Sequence, residues 1–208
     1  LDNDDYRRGI LTNHKIFGEN IAILAGDALL TEAFALLSDP KHLTDTDPSI
    51  HLDIIHDISS AAGFFGMIGG QVMDVQSEGK EFDMSTLQYI HSRKTGAMIV
   101  TSIRSGALLA GGKPAEVDAL TQYGTQIGLA FQIADDILNV EGEENRIGKR
   151  TGTDKNRGKA TYPALVGVED SRKKGRELME DALAAIALLD EKGEPLRLIA
   201  RHIVERDF

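Results

Sequence analysis

The stretch Phe131-Gln132-Ile133-Ala134-Asp135-Asp136-Ile137-Leu138-Asn139 sets amide and carboxylate oxygens one, three and four residues apart in an otherwise apolar segment. On a helix, Gln132, Asp135, Asp136 and Asn139 share one face. Adjacent carboxylates on an apolar helix call for a cationic partner, and an all-oxygen cluster suits a hard divalent ion such as Mg²⁺, with Mn²⁺ a workable substitute. Metal-assisted phosphate chemistry is the implication. A solvated acidic patch or a helix cap explains these residues equally well when they are taken alone.

Three other segments bear on that choice. At the start of the chain, Asp2 lies five positions before the adjacent pair Arg7 and Arg8. Arginine grips phosphate oxygens through a planar fork of donors, whereas a carboxylate reaches phosphate only through a metal, so acid and base here suit one anionic ligand. Lys94-Thr95-Gly96 sits within an apolar helix, where Gly96 lowers helix propensity and loosens local hydrogen bonding enough to aim a carbonyl into a cavity. Residues 141–160 combine glycines with Lys149, Arg150, Lys155, Arg157 and Lys159, a basic loop placed to close on phosphate or simply to connect two helices. It is no P-loop: five residues separate Gly152 from Gly158, and Ala160 stands where Ser or Thr is required.

These groups need a scaffold, and the apolar periodicity supplies a helical one. Ile21, Leu24, Ala25, Ala28 and Leu29 follow a helical stripe, as do Leu178, Ala182, Ala185, Ile186 and Leu189. The pattern predicts helices over 12–37, 49–76, 84–110, 115–140, 161–190 and 195–206, with no convincing strand. Breaks fall at Asp39-Pro40, Asp47-Pro48, Gly111-Gly112 and Lys113-Pro114. Gly63, Gly66, Gly69 and Gly70 are read as sites of close helix packing, and Gln71 and Asp74 beyond them fit a cavity or the surface equally well. Long helices with apolar faces and mostly short linkers make an all-α single bundle.

Composition narrows the function. A chain of 208 residues, 41% hydrophobic and 27% charged, is ordinary globular material. The net charge of −10 disfavours nucleic acid, so a diphosphate must be drawn in by local Arg, Lys and metal. No apolar run is read as approaching a membrane span, and no signal peptide is visible. The absence of cysteine excludes disulfides, thiolate metal sites and a cysteine nucleophile, and it fits a cytoplasmic location. The six histidines form no HExxH pair and are read as ordinary surface or core residues.

Seven segments in order, LDNDDYRRG at 1–9, AGDALL at 25–30, GGQVMD at 69–74, RKTGA at 93–97, FQIADDILNV at 131–140, GKRTGTD at 148–154 and GKATYPAL at 158–165, resemble the trans-polyprenyl diphosphate synthases of the short-chain farnesyl and geranylgeranyl type. The resemblance runs from residue 1 to the end and implies one domain over 1–208, an isoprenoid-synthase bundle around a central active-site cavity. It implies a Mg²⁺-dependent prenyltransferase that joins isopentenyl diphosphate to an allylic diphosphate. Asp2, Asp135 and Asp136 would bind metal; Arg7, Lys94 and Lys149 would hold the allylic diphosphate, Arg8 isopentenyl diphosphate, and Lys159 would also bind substrate. The Lys94 carbonyl, Thr95 hydroxyl and Gln132 side chain would surround the developing cation, and the departing diphosphate would take the proton. A homodimer formed through bundle helices is also implied, with the apolar residues from Ile21 to Leu37 facing a partner or a core.

Two departures from the family pattern stand out. Asn139 occupies a position where many relatives carry aspartate, and an amide there brings no charge. The first two acids of the family's Asp-Asp-x-x-x-x-Asp motif and its upstream Lys, Arg and His do not appear, which leads to the expectation that roughly 80 to 90 residues of the family pattern precede residue 1. Two other functions compete: an ionisation-initiated terpene cyclase, disfavoured by Arg8 and RKTGA, and a noncatalytic regulatory or interaction subunit, disfavoured by Asp135, Asp136, Lys94, Lys149 and Lys159.

Overall fold

The structure, a computed structural model, describes residues 3–42, 46–141 and 161–205. Asp2, Lys149 and Lys159 lie outside those residues, as does the basic segment around the two lysines. The chain starts with a hairpin of β1 (Tyr6–Arg7) and β2 (Ile10–Leu11), antiparallel with Tyr6 opposite Leu11. Its two-residue turn, Arg8–Gly9, has positive φ at both positions (54° and 76°), the geometry that matches strand twist in tight hairpins. This pairing is missed by a reading based on alternation, because two-residue strands carry no period.

Helices make up the remainder: α1 (Asn13–Phe17), α2 (Glu19–Ser38), α3 (Pro48–Ala62), α4 (Met67–Ser77), α5 (Met84–Ile90), α6 (Ala97–Leu109), α7 (Pro114–Glu141), α8 (Tyr162–Val166), α9 (Val168–Ala185) and α10 (Glu194–Glu205). A π-helical segment, His91–Gly96, joins α5 to α6, and a 3₁₀ segment, Ala187–Gly193, joins α9 to α10. The all-α architecture expected from periodicity is therefore present. Three long helices expected from the sequence are divided. Gly18 (φ 85°) separates α1 from α2, and Gly167 (φ 83°) separates α8 from α9, both in a conformation that disfavours any side chain. Gly63 and Gly66 flank the break between α3 and α4.

Local signals explain where helices start. Asp47 precedes Pro48 and accepts the Ser49 N–H at 2.9 Å, while Asp83 accepts the Thr86 N–H at 2.8 Å to open α5. Pro114 begins α7, and the preceding Lys113 N–H is met by Glu116 Oε2 at 2.7 Å.

The core lies along α7. Its Tyr123, Ile127, Ala130, Ile133 and Ile137 meet Leu178, Met179 and Ala182 of α9, with Leu87 and Ile90 of α5, Ile186 just after α9 and Ala200 of α10 closing the cluster. Each large aliphatic side chain removed from water here contributes about 1.5–3 kcal/mol. Tyr123 places its hydroxyl within this cluster and donates to the Leu196 carbonyl at 2.7 Å; burial pushes its pKa up to about 12.

The other periodic stripe behaves differently. No residue of α2 is buried, and Ile23, Leu24 and Leu29 are 64%, 61% and 75% exposed. The expectation that no run approaches a membrane span is corrected here, since α2, with 20 residues, is long and apolar enough to cross one by length and composition. Glu19, Asp27 and Glu32 lie within or at the start of that helix, and charges in hydrocarbon are costly, which makes protein the better match for this surface.

Candidate active site

The site is assembled by the packing of the π segment along α7. A Cβ at Gly128 would stand 3.2 Å from Gly96 Cα, and His91 Nε2 lies 3.4 Å from Asp136 Oδ2. Gly96 and His91 are the two ends of the π segment, so these contacts set it antiparallel to α7. Between them fall Lys94 and Thr95 on one element and Gln132 and Asp135 on the other. The two motifs, nearly forty residues apart in sequence, are thus brought to adjoining stretches of two packed elements.

A third element supports Lys94. Gly70 of α4 lies so close that a Cβ there would meet Lys94 N at 2.2 Å and Lys94 Cα at 2.7 Å. The packing role expected for these glycines holds at Gly70. From the same helix, buried Asp74 accepts from Lys94 Nζ at 2.6 Å, while the lysine side chain remains 27% exposed. Asp74, ambiguous in the sequence, therefore supports Lys94 from within the protein. The π segment itself replaces the i→i+4 ladder by i→i+5, a local irregularity frequent at functional sites. It spans the Lys94-Thr95-Gly96 stretch where looser helical bonding was expected.

On α7 the helix turn divides the expected acidic face. Gln132 and Asp135 are partly exposed, whereas Asp136 and Asn139 are buried. Asp136 Oδ2 accepts the Tyr162 N–H at 2.7 Å, besides facing His91. This oxygen is directed at protein groups, because consecutive helical residues point about 100° apart and α7 is covered on that side. His91, one of the histidines read as ordinary, is the residue the sequence did not single out. Its only signal was its position three residues before Lys94.

Arg7 and Arg8 stand exposed on the hairpin. The hairpin is tied to α1, where Thr12 Oγ1 donates to the Asp4 carbonyl at 2.8 Å and Lys15 pairs with Asp5 at 2.9 Å. Among the described residues no hydrogen bond or ion pair joins either arginine to Lys94, Gln132 or Asp136.

Beside the π segment lies a cavity of about 830 Å³ between α3, α5, α6 and α7, lined in part by Phe65, Tyr89, Arg93, Gly96, Val100 and Leu129. Arg93 spans its edge, donating to the Phe65 carbonyl at 2.9 Å and lying 5.9 Å from the Tyr89 ring centroid. The cavity adjoins Gly96, but Lys94, Thr95 and Gln132 are not among its walls.

Magnesium suits oxygen donors, commonly one or two carboxylates completed by substrate phosphates and water. Among the described residues no three His, Asp or Glu side chains cluster tightly enough to hold an ion unaided. Asp135, with Gln132 one turn away, fits an ion whose coordination a diphosphate completes.

The polyprenyl synthetase family profile matches residues 1–192. Among curated relatives, the chain is 45% identical over 213 residues to farnesyl diphosphate synthase of Escherichia coli, covering all of this chain and 70% of that protein. It is 45% identical over 207 residues to dimethylallyltranstransferase of Fischerella ambigua, covering 99% of this chain and 59% of that protein. It is 43% identical over 208 residues to geranylgeranyl diphosphate synthase of Cyanophora paradoxa, covering 100% of this chain and 69% of that protein. Among solved structures, an FPP/GFPP synthase of Zymomonas mobilis superposes with a TM-score of 0.85 at 37% identity, over 98% of this chain and 68% of that one. The chain belongs to the polyprenyl synthetase family. It spans 59–70% of the length of the curated relatives just named.

Proposed function

We propose that this chain belongs to a prenyltransferase that condenses isopentenyl diphosphate with an allylic diphosphate, giving farnesyl or geranylgeranyl diphosphate. The observation that carries the reading is the juxtaposition of the Lys94-Thr95 π segment with the Gln132–Asp135 stretch of α7, bracketed by the Gly96–Gly128 and His91–Asp136 contacts. The high identity to farnesyl and geranylgeranyl diphosphate synthases supports it. Residues 1–208 are taken as one domain, acting in the cytoplasm as a homodimer.

In this mechanism Lys94 holds an oxygen of the allylic diphosphate while Asp74 fixes the lysine from behind. Thr95 and Gln132 direct oxygen dipoles at the allylic carbon as its bond to the diphosphate breaks and the electron pair leaves with the diphosphate. The double bond of isopentenyl diphosphate then forms the new carbon–carbon bond, and the departing diphosphate takes the proton lost from the resulting cation. Mg²⁺, or Mn²⁺, held by Asp135 and by Asp2, would supply neutralising charge for the leaving diphosphate. Arg7 and Lys149 are assigned to the allylic diphosphate, Arg8 to isopentenyl diphosphate and Lys159 to substrate binding, on the motif match. Radiolabelled isopentenyl diphosphate with geranyl or farnesyl diphosphate tests the proposal on the whole encoded protein. A linear product formed only with Mg²⁺ or Mn²⁺ is expected; metal-independent turnover, a cyclic hydrocarbon as main product, or no turnover would overturn it.

A further inference from the structure

We propose that Asp136 is a positioning residue that clamps the π segment and the start of α8 onto α7, and so holds Lys94 and Thr95 in register with Asp135. A single oxygen does both tasks: Oδ2 accepts the Tyr162 N–H at 2.7 Å in a fully buried bond across 26 residues and lies 3.4 Å from His91 Nε2. Tyr162 is the first residue of α8, where backbone donors lack helical partners, and Thr161 before it makes no side-chain cap. Asp136 meets that donor from another helix. The His91 ring is 5% exposed and its Nδ1 has no partner among the described residues, which leaves the Asp136 contact as the polar link between this ring and α7.

The consequence for chemistry follows from chain geometry. Lys94 and Thr95 stand three and four residues after His91, so a shift of the imidazole along α7 moves both relative to Asp135. On the other side, Tyr162 is three residues after Lys159 in sequence, and the Asp136 bond fixes the start of α8. Asp135 and Asp136 thus divide the labour of one motif, the first toward substrate and the second toward the protein. Because the oxygen that accepts the Tyr162 N–H is also the one that faces His91, an amide can replace the carboxylate while a hydrocarbon cannot.

The kinetic part of this inference rests on the prenyl-transfer reading; the structural part rests on the bond alone, and two readouts separate them. Hydrogen exchange at the Tyr162 amide should be unchanged in Asp135→Asn and Asp136→Asn and at least about tenfold faster in Asp136→Ala, as expected for loss of a buried acceptor. In steady-state assays with geranyl and isopentenyl diphosphates, Asp136→Asn should keep the wild-type Mg²⁺ concentration for half-maximal rate, whereas Asp135→Asn should raise it severalfold. Undiminished Tyr162 protection in Asp136→Ala would overturn the clamp, as would a Mg²⁺ shift in Asp136→Asn equal to that of Asp135→Asn. Where Asp136→Ala folds poorly, the Asp136→Asn titration still decides. A wild-type protein with no prenyl transfer would instead sink the functional reading, and exchange at Tyr162 would then decide the clamp by itself.

Discussion

Lys94 has to satisfy a buried carboxylate and a phosphate with one ammonium group. Its pairing with Asp74 Oδ2 at 2.6 Å occupies one of three N–H donors, and the remaining exposure of the side chain leaves donors for a ligand. Asp74 is therefore expected to matter through orientation, since it is buried and bonds the lysine from α4. Asp135, on the partly exposed side of α7, is expected to act on the leaving diphosphate itself. Asp135→Ala should lower kcat by about 100-fold or more, the scale seen when one preorganised group is removed. Asp74→Ala should lower kcat/KM for the allylic diphosphate by about tenfold, because a misplaced cation still attracts phosphate but no longer positions it. Steady-state kinetics on both variants would check the order. A mild Asp135→Ala beside a crippled Asp74→Ala would mean that the exposed face of α7 is turned away from the substrate.

Between α4 and the π segment, close approach is made by a missing side chain. Gly70→Ala would drive a Cβ to 2.2 Å from the Lys94 backbone nitrogen, a clash with main chain that no rotamer relieves. Overpacking of this kind costs about 1–3 kcal/mol, and here the displaced residue is Lys94, so activity should fall with the melting temperature. Gly106→Ala, in α6 with nothing within 4 Å of the added carbon, should instead stabilise by about 0.5–1 kcal/mol through helix propensity alone. Thermal unfolding of the two variants tests the contrast. Helical period, the break at Asp47-Pro48 and the glycine-rich approach of α4 were legible in the sequence because they are local patterns, and each has its counterpart in the structure. The divisions at Gly18 and Gly167 were not legible, because a glycine in a helical pattern gives the same signal whether it is tolerated or adopts positive φ. The split between Asp135 and Asp136 was also hidden: it depends on the π segment and α8 covering one side of α7, and both partners, His91 and Tyr162, are distant in sequence and chemically ordinary. The hairpin that carries Arg7 and Arg8 was missed because its strands are only two residues long.

For the molecule as a whole, the unmet demand of the fold is α2. Twenty residues of helix bury nothing, and Ile21, Ile23, Leu24, Leu29, Leu30 and Leu36 are all more than 45% exposed. An apolar surface of this extent is rare on a lone soluble chain and marks an interface. Lipid is a poor occupant, because Asp27 and Glu32 fall inside the apolar run. A second copy of the same chain offers an equally apolar helix, and two-fold pairing lets each face satisfy the other. The whole encoded protein should therefore be a dimer at micromolar concentration. Leu24→Glu combined with Leu29→Glu should shift it to monomer, since each face of a symmetric pair would then receive buried like charges twice over. The core on α7 and α9 does not include these positions, so the variant should keep its helical circular dichroism. Multi-angle light scattering on wild type and variant checks the expectation: a monomeric wild type would show that α2 is covered within its own chain or by another partner, and a double variant that remains dimeric would move the interface elsewhere on the bundle.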